Sequence, residues 1–256
     1  MNGTIRLWDI ETGYNIAAIW DLVQESKYIP YTSLLKERYI MMAAIKDLGD
    51  DRIYQYKISD YPEFKKDPTN DKKLVRDIRD HLIDSDVLIH HNGDNFDLPY
   101  LNGRLLYWGF KPLPNMVQID TKKIAKNKFR FNSNRLDYLA QFLKVGKKNK
   151  VDQEDWLGAL RGDRASVEKL AAYNIVDVEV LEKVYVKLAP FTESKLNQAI
   201  FNEGEKPVCP LCGSARLHRR GSRYTRTGEY ERYECQVCGH WSQGTRTIKR
   251  ARLKSK

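Results

Sequence analysis

The order of apolar and polar residues along the chain reads first as strands, then as strands alternating with helices. Thr4–Ile10 is apolar on both faces, the pattern of a central strand covered on two sides. Tyr39–Lys46 and Arg52–Ile58 form two further strand-like runs, and Gly49-Asp50-Asp51 between them supplies the turn chemistry of a hairpin. The period then changes. In Asp71–Asp84, residues Leu74, Ile78, Leu82 and Ile83 recur at helical spacing. Val87-Leu88-Ile89 is a short buried strand, Leu98–Gly109 a helix that tolerates Pro99 in its first turn, and Met116–Ile119 a fifth strand. Asn134–Val145 carries the apolar stripe Leu136, Leu139, Ala140 and Leu143, and Ala165–Leu188 is one long helix or two joined ones. Residues 14–38 follow neither period and read as an insertion to which the sequence assigns no task. Three strands, a helix, a strand, a helix, a strand and then helices predict an α/β fold, a mixed sheet with helices packed against it.

Charge adds a boundary. Residues 205–256 hold 13 Lys/Arg against 4 Asp/Glu, a net of +9, while the whole chain is +10. The last quarter is therefore a basic appendage on a nearly neutral body, which favours a polyanionic partner, most simply nucleic acid. A solubilising tail is the plainer alternative. The composition shift at Gly204–Pro207 divides the chain into a domain over 1–203, a small module over 204–248 and a flexible basic tail over 249–256. No run approaches the ~18 consecutive apolar residues of a membrane span, and no charged stretch plus apolar core opens the chain. The expectation is a soluble, cytoplasmic protein with no membrane partner.

Four acidic positions carry the chemistry. Asp9 and Glu11 stand two apart on the first strand and point to one side. Asp97 lies where a loop enters a helix, and Asp177 lies in a helical pattern among Ile175, Val176 and Val180. Tyr173, one turn earlier, shares the face of Asp177. Each piece has a bland reading: a D-x-E pair is commonly a solvated strand edge, and an Asp opening a helix is commonly a cap. Together, four carboxylates on three elements can hold two hard divalent cations, a common device for phosphodiester cleavage. Adjacent His90 and His91 would point to opposite faces of a strand, so they cannot both ligate one ion.

"WDIET" at residues 8–12, "HNGDNFDLPYL" at 91–101 and "YNIVD" at 173–177 resemble the three motifs of the DEDD-class 3′–5′ exonucleases, within the ribonuclease H-like fold. The chain is most similar to the proofreading domain of family-B DNA polymerases and to related stand-alone phage and bacterial exonucleases. Residues 119–148 also resemble the segment between the last two motifs, so the likeness covers about residues 4–190. It implies that Asp9, Glu11, Asp97 and Asp177 bind two Mg²⁺ or Mn²⁺ ions, and that Tyr173 positions the attacking water. It also implies that Asn92 and Phe96 shape the terminal-nucleotide site. The histidine variant of the class needs a His at the position of Ala172, so the tyrosine variant fits. Asp97, directly after Phe96, matches the second motif better than Asp94. The resemblance further suggests a bacterial cytoplasm or a phage-infected host.

All four cysteines form two C-x-x-C pairs, Cys209/Cys212 and Cys235/Cys238, separated by 22 residues and each followed by Gly. This spacing predicts a Cys₄ zinc ribbon with one structural Zn²⁺. Arg216, Arg219, Arg220, Arg223, Arg226 and Arg232 interleave with Tyr224, Tyr230 and Tyr233 between the pairs, a mixture suited to phosphate contact and base stacking. Arg219, Arg220 and Arg223 are the candidate substrate contacts. The expected function is metal-dependent 3′–5′ hydrolysis of single-stranded nucleic acid, DNA ahead of RNA, in company with replication or repair proteins. A structure-selective endonuclease, a non-catalytic nucleic-acid-binding protein and a polymerase accessory protein are the competing readings.

Overall fold

The computed structural model describes residues 3–20, 28–147, 151–193, 195–202, 204 and 206–252. Its elements run in chain order as β1 (Ile5–Thr12), β2 (Ile16–Ala17), β3 (Leu34–Lys36), β4 (Ile40–Asp47), β5 (Ile53–Lys57), α1 (Lys72–Leu82), β6 (Val87–His90), α2 (Asp97–Tyr107), β7 (Val117–Asp120), α3 (Thr121–Lys128), α4 (Leu136–Phe142), α5 (Gln153–Leu160), α6 (Arg164–Leu188), β8 (Leu217–Tyr224), β9 (Gly228–Cys235) and β10 (Trp241–Arg250).

Five strands form the central mixed sheet in the order β5-β4-β1-β6-β7. β4 runs antiparallel to β1 and β5, and β6 and β7 run parallel to β1. The expected hairpin joins β4 to β5, with Gly49 at φ 85 supplying the left-handed turn residue. β4 is apolar on both faces, and six of its first seven positions are apolar and fully buried, as befits a strand covered on two sides. One apolar cluster gathers Trp8, Ile10, Leu74, Ile78, Leu101 and Val167. A second gathers Leu7, Val87, Ile89, Leu139, Val178 and Leu181. Because successive strand residues face opposite ways, Leu7 and Trp8 enter different clusters.

The mixed α/β architecture agrees with the sequence reading, and the structure adds four details. The long helix is unbroken from Arg164 to Leu188, begun by the Asp163 side chain, which accepts from the N–H groups of Ala165 and Ser166. α3 was not anticipated, because TKKIAKNK buries only Thr121 and Ala125 and shows little apolar stripe; Asp120 caps it through the N–H groups of Lys122 and Lys123. α5 starts with a capping box between Asp152 and Asp155. The insertion after β1 contributes the β2–β3 pair, while its residues 21–27 lie outside the described residues.

The C-terminal segment forms a separate three-stranded antiparallel sheet, β10-β9-β8. Lys249 and Arg250, expected in a flexible tail, are the last residues of β10, and Ala251 N–H donates to Thr227 O; residues 253–256 lie outside the described residues.

Asp71 ties the helical layer to the sheet. It is fully buried and accepts from Ile40 N–H at 2.9 Å, from two guanidinium nitrogens of Arg104 at 2.7 and 2.6 Å, and from Trp108 Nε1 at 2.7 Å. Bidentate pairing matches the Arg fork, and the aromatic faces of Tyr107 and Trp108 flank the guanidinium. Asp71→Ala strands a desolvated cation and is expected to cost about 3–5 kcal/mol of stability, read by urea unfolding. A change under ~1 kcal/mol would show that Arg104 finds solvent instead.

Candidate functional site

The site begins with a gap in strand pairing. β1 pairs with β6 only through Ile5, Arg6 and Leu7, so β1 continues past its parallel partner toward Thr12. In this overhang Trp8, Ile10 and Thr12 are buried, while Asp9 and Glu11 alternate to the other face, on the side of α6. Carboxylate oxygens of Asp9, Glu11 and Asp177 lie within 4.8 Å of one another. Strand and helix thus bring Asp177 to two acidic groups more than 160 positions earlier in sequence.

Asp97 reaches the overhang from another direction. It is the first residue of α2, and its Oδ1 accepts from Ile10 N–H at 3.0 Å. It therefore serves the neighbouring strand rather than capping its own helix, and it stands outside the 4.8 Å set formed by the other three. Burial pushes its carboxyl up to about 7; the Ile10 hydrogen bond opposes that shift and the charge of Asp120 adds to it.

Asn174 was not singled out from sequence. It is buried on α6, one turn before Asp177, and its Nδ2 donates to Asp9 Oδ2 at 2.8 Å and, more weakly, to Asp9 O at 3.4 Å. Its Oδ1 is buried without a hydrogen-bond partner. An amide among the apolar residues of a helix was the readable signal, because a buried polar side chain needs a reason. Tyr173 is partly exposed on the same helix.

The loop between β6 and α2 has its own polar group. His90, Asp94 and Asp120 also lie within 4.8 Å of one another. Asp94 is ion-paired with Lys123 at 2.5 Å. His91 is held by Thr121 Oγ1 at 2.8 Å and by Asn134 O at 2.9 Å. Asn92 sits at φ 74 with Lys122 Nζ 3.2 Å from its Oδ1, and Phe96 packs its ring 4.8 Å from that of Tyr100.

In the C-terminal sheet the four cysteine sulfurs gather within 4.8 Å. Cys209 and Cys238 Sγ are 3.7 Å apart, Cys212 and Cys235 Sγ 3.6 Å. Those separations are far from the roughly 2.05 Å of a disulfide and close to the edge, about 3.8 Å, of a tetrahedron with ~2.3 Å metal–sulfur bonds. Arg219 pairs with Glu231 at 3.2 Å and Arg220 with Glu234 at 2.9 Å across the strands, and Arg223 lies on β8 opposite Tyr230.

Among the described residues, three groups could hold a metal ion: the carboxylates Asp9, Glu11 and Asp177, the mixed set His90, Asp94 and Asp120, and the four soft thiols. A family model described as the RNase_H superfamily matches residues 38–189, more than half of the sequence, and the chain belongs to that superfamily. A DNA polymerase III PolC-type from Ureaplasma parvum is 32% identical over 108 residues, 42% of this chain and 7% of that protein. A DNA polymerase from Methanocaldococcus jannaschii is 36% identical over 70 residues, 27% of this chain and 4% of that protein. The chain thus spans only a small part of these relatives. The structure of the family B DNA polymerase from Pyrobaculum calidifontis superposes with a TM-score of 0.55 at 17% identity, covering 88% of this chain and 31% of that one, a likeness of fold. No helix among the described residues is long and apolar enough to cross a membrane.

Asp97 gives a pH dependence with a definite sign. Burial holds its folded carboxyl up at about 7 against an ordinary 3.8, so between those values the folded state keeps a proton that the unfolded state has lost. Its contribution to stability is complete below pH ~4 and is lost as pH rises toward 7, at no more than about 1.4 kcal/mol per pH unit for one proton. Metal-free Asp97→Asn protein lacks this loss, so its stability relative to the parent should increase from pH 4 to 7. A constant difference across that range would place the Asp97 carboxyl at its ordinary value.

Proposed function

We propose that this chain is a metal-dependent 3′–5′ exonuclease of the tyrosine-variant DEDD type, acting on single-stranded nucleic acid, with DNA preferred to RNA. The observation that carries the reading is the convergence of Asp9, Glu11 and Asp177 within 4.8 Å beside the buried Asp97. Like charges gathered this closely are costly unless a cation or protons neutralise them. The oxygen-only donor set suits two Mg²⁺ or Mn²⁺ ions, held by Asp9, Glu11, Asp97 and Asp177. When bound, such ions supply positive charge beside the scissile phosphate and acidify water held there.

The protein's own groups do the rest. Asn174 fixes the side chain of Asp9 through its Nδ2, so that one carboxylate is oriented before any ion arrives. The Tyr173 hydroxyl aims the attacking water along the line of the breaking bond. Asn92 and Phe96 shape the seat of the terminal nucleotide. One Zn²⁺ on Cys209, Cys212, Cys235 and Cys238 closes the ribbon, which spans residues 204–248 by the sequence boundary. Arg219, Arg220 and Arg223 on its sheet hold the strand by its phosphates. Similarity to segments of DNA polymerases favours a setting in replication or repair.

A time course on 5′-labelled single strands tests the activity. With Mg²⁺ or Mn²⁺ the expected product is a ladder shortening from the 3′ end, abolished by EDTA and reduced at least roughly 10²–10³-fold by Asp97→Ala. Cuts inside a 3′-blocked strand would replace the exonuclease reading with an endonuclease; metal-independent cleavage, or full activity in Asp97→Ala, would remove the site.

Metal analysis should find one Zn²⁺ per chain. Its removal by a chelator should speed amide exchange throughout β8–β10 and weaken strand binding measured without Mg²⁺, leaving exchange in β4 and β5 unchanged. Protection in β8–β10 that survives chelation would mean that the sheet holds itself together.

A further inference from the structure

His90 and Asp120 are register partners at the ends of the parallel strands β6 and β7, both buried, and both reach the backbone of the loop that precedes α2. His90 Nδ1 accepts from Gly93 N–H at 3.0 Å, and its Nε2 lies 3.2 Å from Gln118 Oε1. Asp120 Oδ1 accepts from Asn92 N–H at 2.9 Å. Two successive loop amides are thus bound by two side chains from the sheet. Gly93 O in turn accepts from Phe96 N–H at 3.3 Å and from Leu98 N–H at 3.0 Å, so the turn bearing Asp97 hangs from Gly93. The fit is close. A Cβ on Gly93 would lie 2.4 Å from His90 Cγ and 2.7 Å from His90 Nδ1.

We infer that His90 and Asp120 are positioning residues: they clamp the amides of Asn92 and Gly93 and thereby fix where Asp97 meets Ile10. The inference rests on the nuclease reading for its consequence in catalysis, but the clamp is observable without it. The geometry fixes the working form of His90 as the tautomer protonated on Nε2, since Nδ1 must remain an acceptor for Gly93. Burial lowers the pKa of His90 and so favours that neutral ring. The clamp also gives His90 a task other than metal ligation, because both ring nitrogens have partners.

The direct readout is the Ile10 amide. Its N–H donates to Asp97 Oδ1 where β1 has run past β6, so its exchange with solvent reports the placement of Asp97. We would compare the wild type with His90→Leu, which removes the acceptor, and with His90→Asn, whose carboxamide oxygen stands two bonds from Cβ, as Nδ1 does. Gly93→Ala pushes the loop off from the other side and serves as a second variant if His90→Leu fails to fold. In folded His90→Leu or Gly93→Ala, Ile10 exchange should rise at least about tenfold while amides of β4 and β5 keep their protection, and His90→Asn should restore it. kcat for strand cleavage should fall about 10–100-fold in the same variants with KM held within about twofold. Unchanged Ile10 exchange, or unchanged kcat in a folded variant, overturns the inference. A wild type that never cleaves, while His90→Leu still frees Ile10, sinks the nuclease reading and leaves the clamp standing.

Discussion

The short ladder between β1 and β6 is the constraint on which the rest of the site depends. Because pairing stops at Leu7, the end of β1 stands clear of β6, and Ile10 N–H there requires an acceptor. A backbone donor buried without one costs about as much as a lost hydrogen bond. Asp97 fills that need and so draws the start of α2 against the strand that carries Asp9 and Glu11. In the same stretch, still paired with β4 on its other edge, strand alternation turns Asp9 and Glu11 toward α6. One missing stretch of ladder thus makes room for the acidic groups and specifies which of them must be buried.

Electrostatics sets the next condition. Asp97 and Asp120 are almost wholly buried, and Asp177 is buried on the facing helix. The protein meets these charges unequally. Asp120 spends one oxygen on three backbone N–H groups, of Asn92, Lys122 and Lys123. Asp94 has Lys123. Asp97 has the amides of Ile10 and of its own backbone against an acidic neighbour, and burial outweighs both amides and raises its carboxyl. The loop and α3 carry polar supports of their own, while on the face between β1 and α6 the amide of Asn174 anchors Asp9.

Much of this was legible in sequence, for physical reasons that differ by residue. Asp9 and Glu11 could be paired because strand alternation points both to one side, and Asp177 joined them through the resemblance. The choice of Asp97 over Asp94 came from the resemblance; in the structure the first is buried and the second is paired with Lys123. Asn174, His90 and Asp120 were invisible as a supporting set, because their roles depend on partners 165, 3 and 28 positions away rather than on a local pattern. α3 escaped because its stability comes from the Asp120 cap and a few buried atoms, not from an apolar stripe. Its cap residue is also a clamp residue, so a helix start and a loop position are set by one carboxylate.

The C-terminal sheet obeys a different economy. Among described residues 206–252 only Cys209, Cys235 and His240 are buried, although β8, β9 and β10 together hold 26 residues. So little buried apolar surface cannot offset the entropy of ordering three strands. The cross-strand pairs Arg219–Glu231 and Arg220–Glu234 are largely exposed and contribute little to that deficit. On the reading proposed above, the thiol cluster would make up the difference, since a tetrahedral Cys₄ site gains folding free energy directly from its metal. Freed from core duty, the strands can be written almost entirely in polar and basic residues. This is why the net charge of +9 resides in the last quarter of the chain, while the body, which must bury two apolar clusters, stays close to neutral.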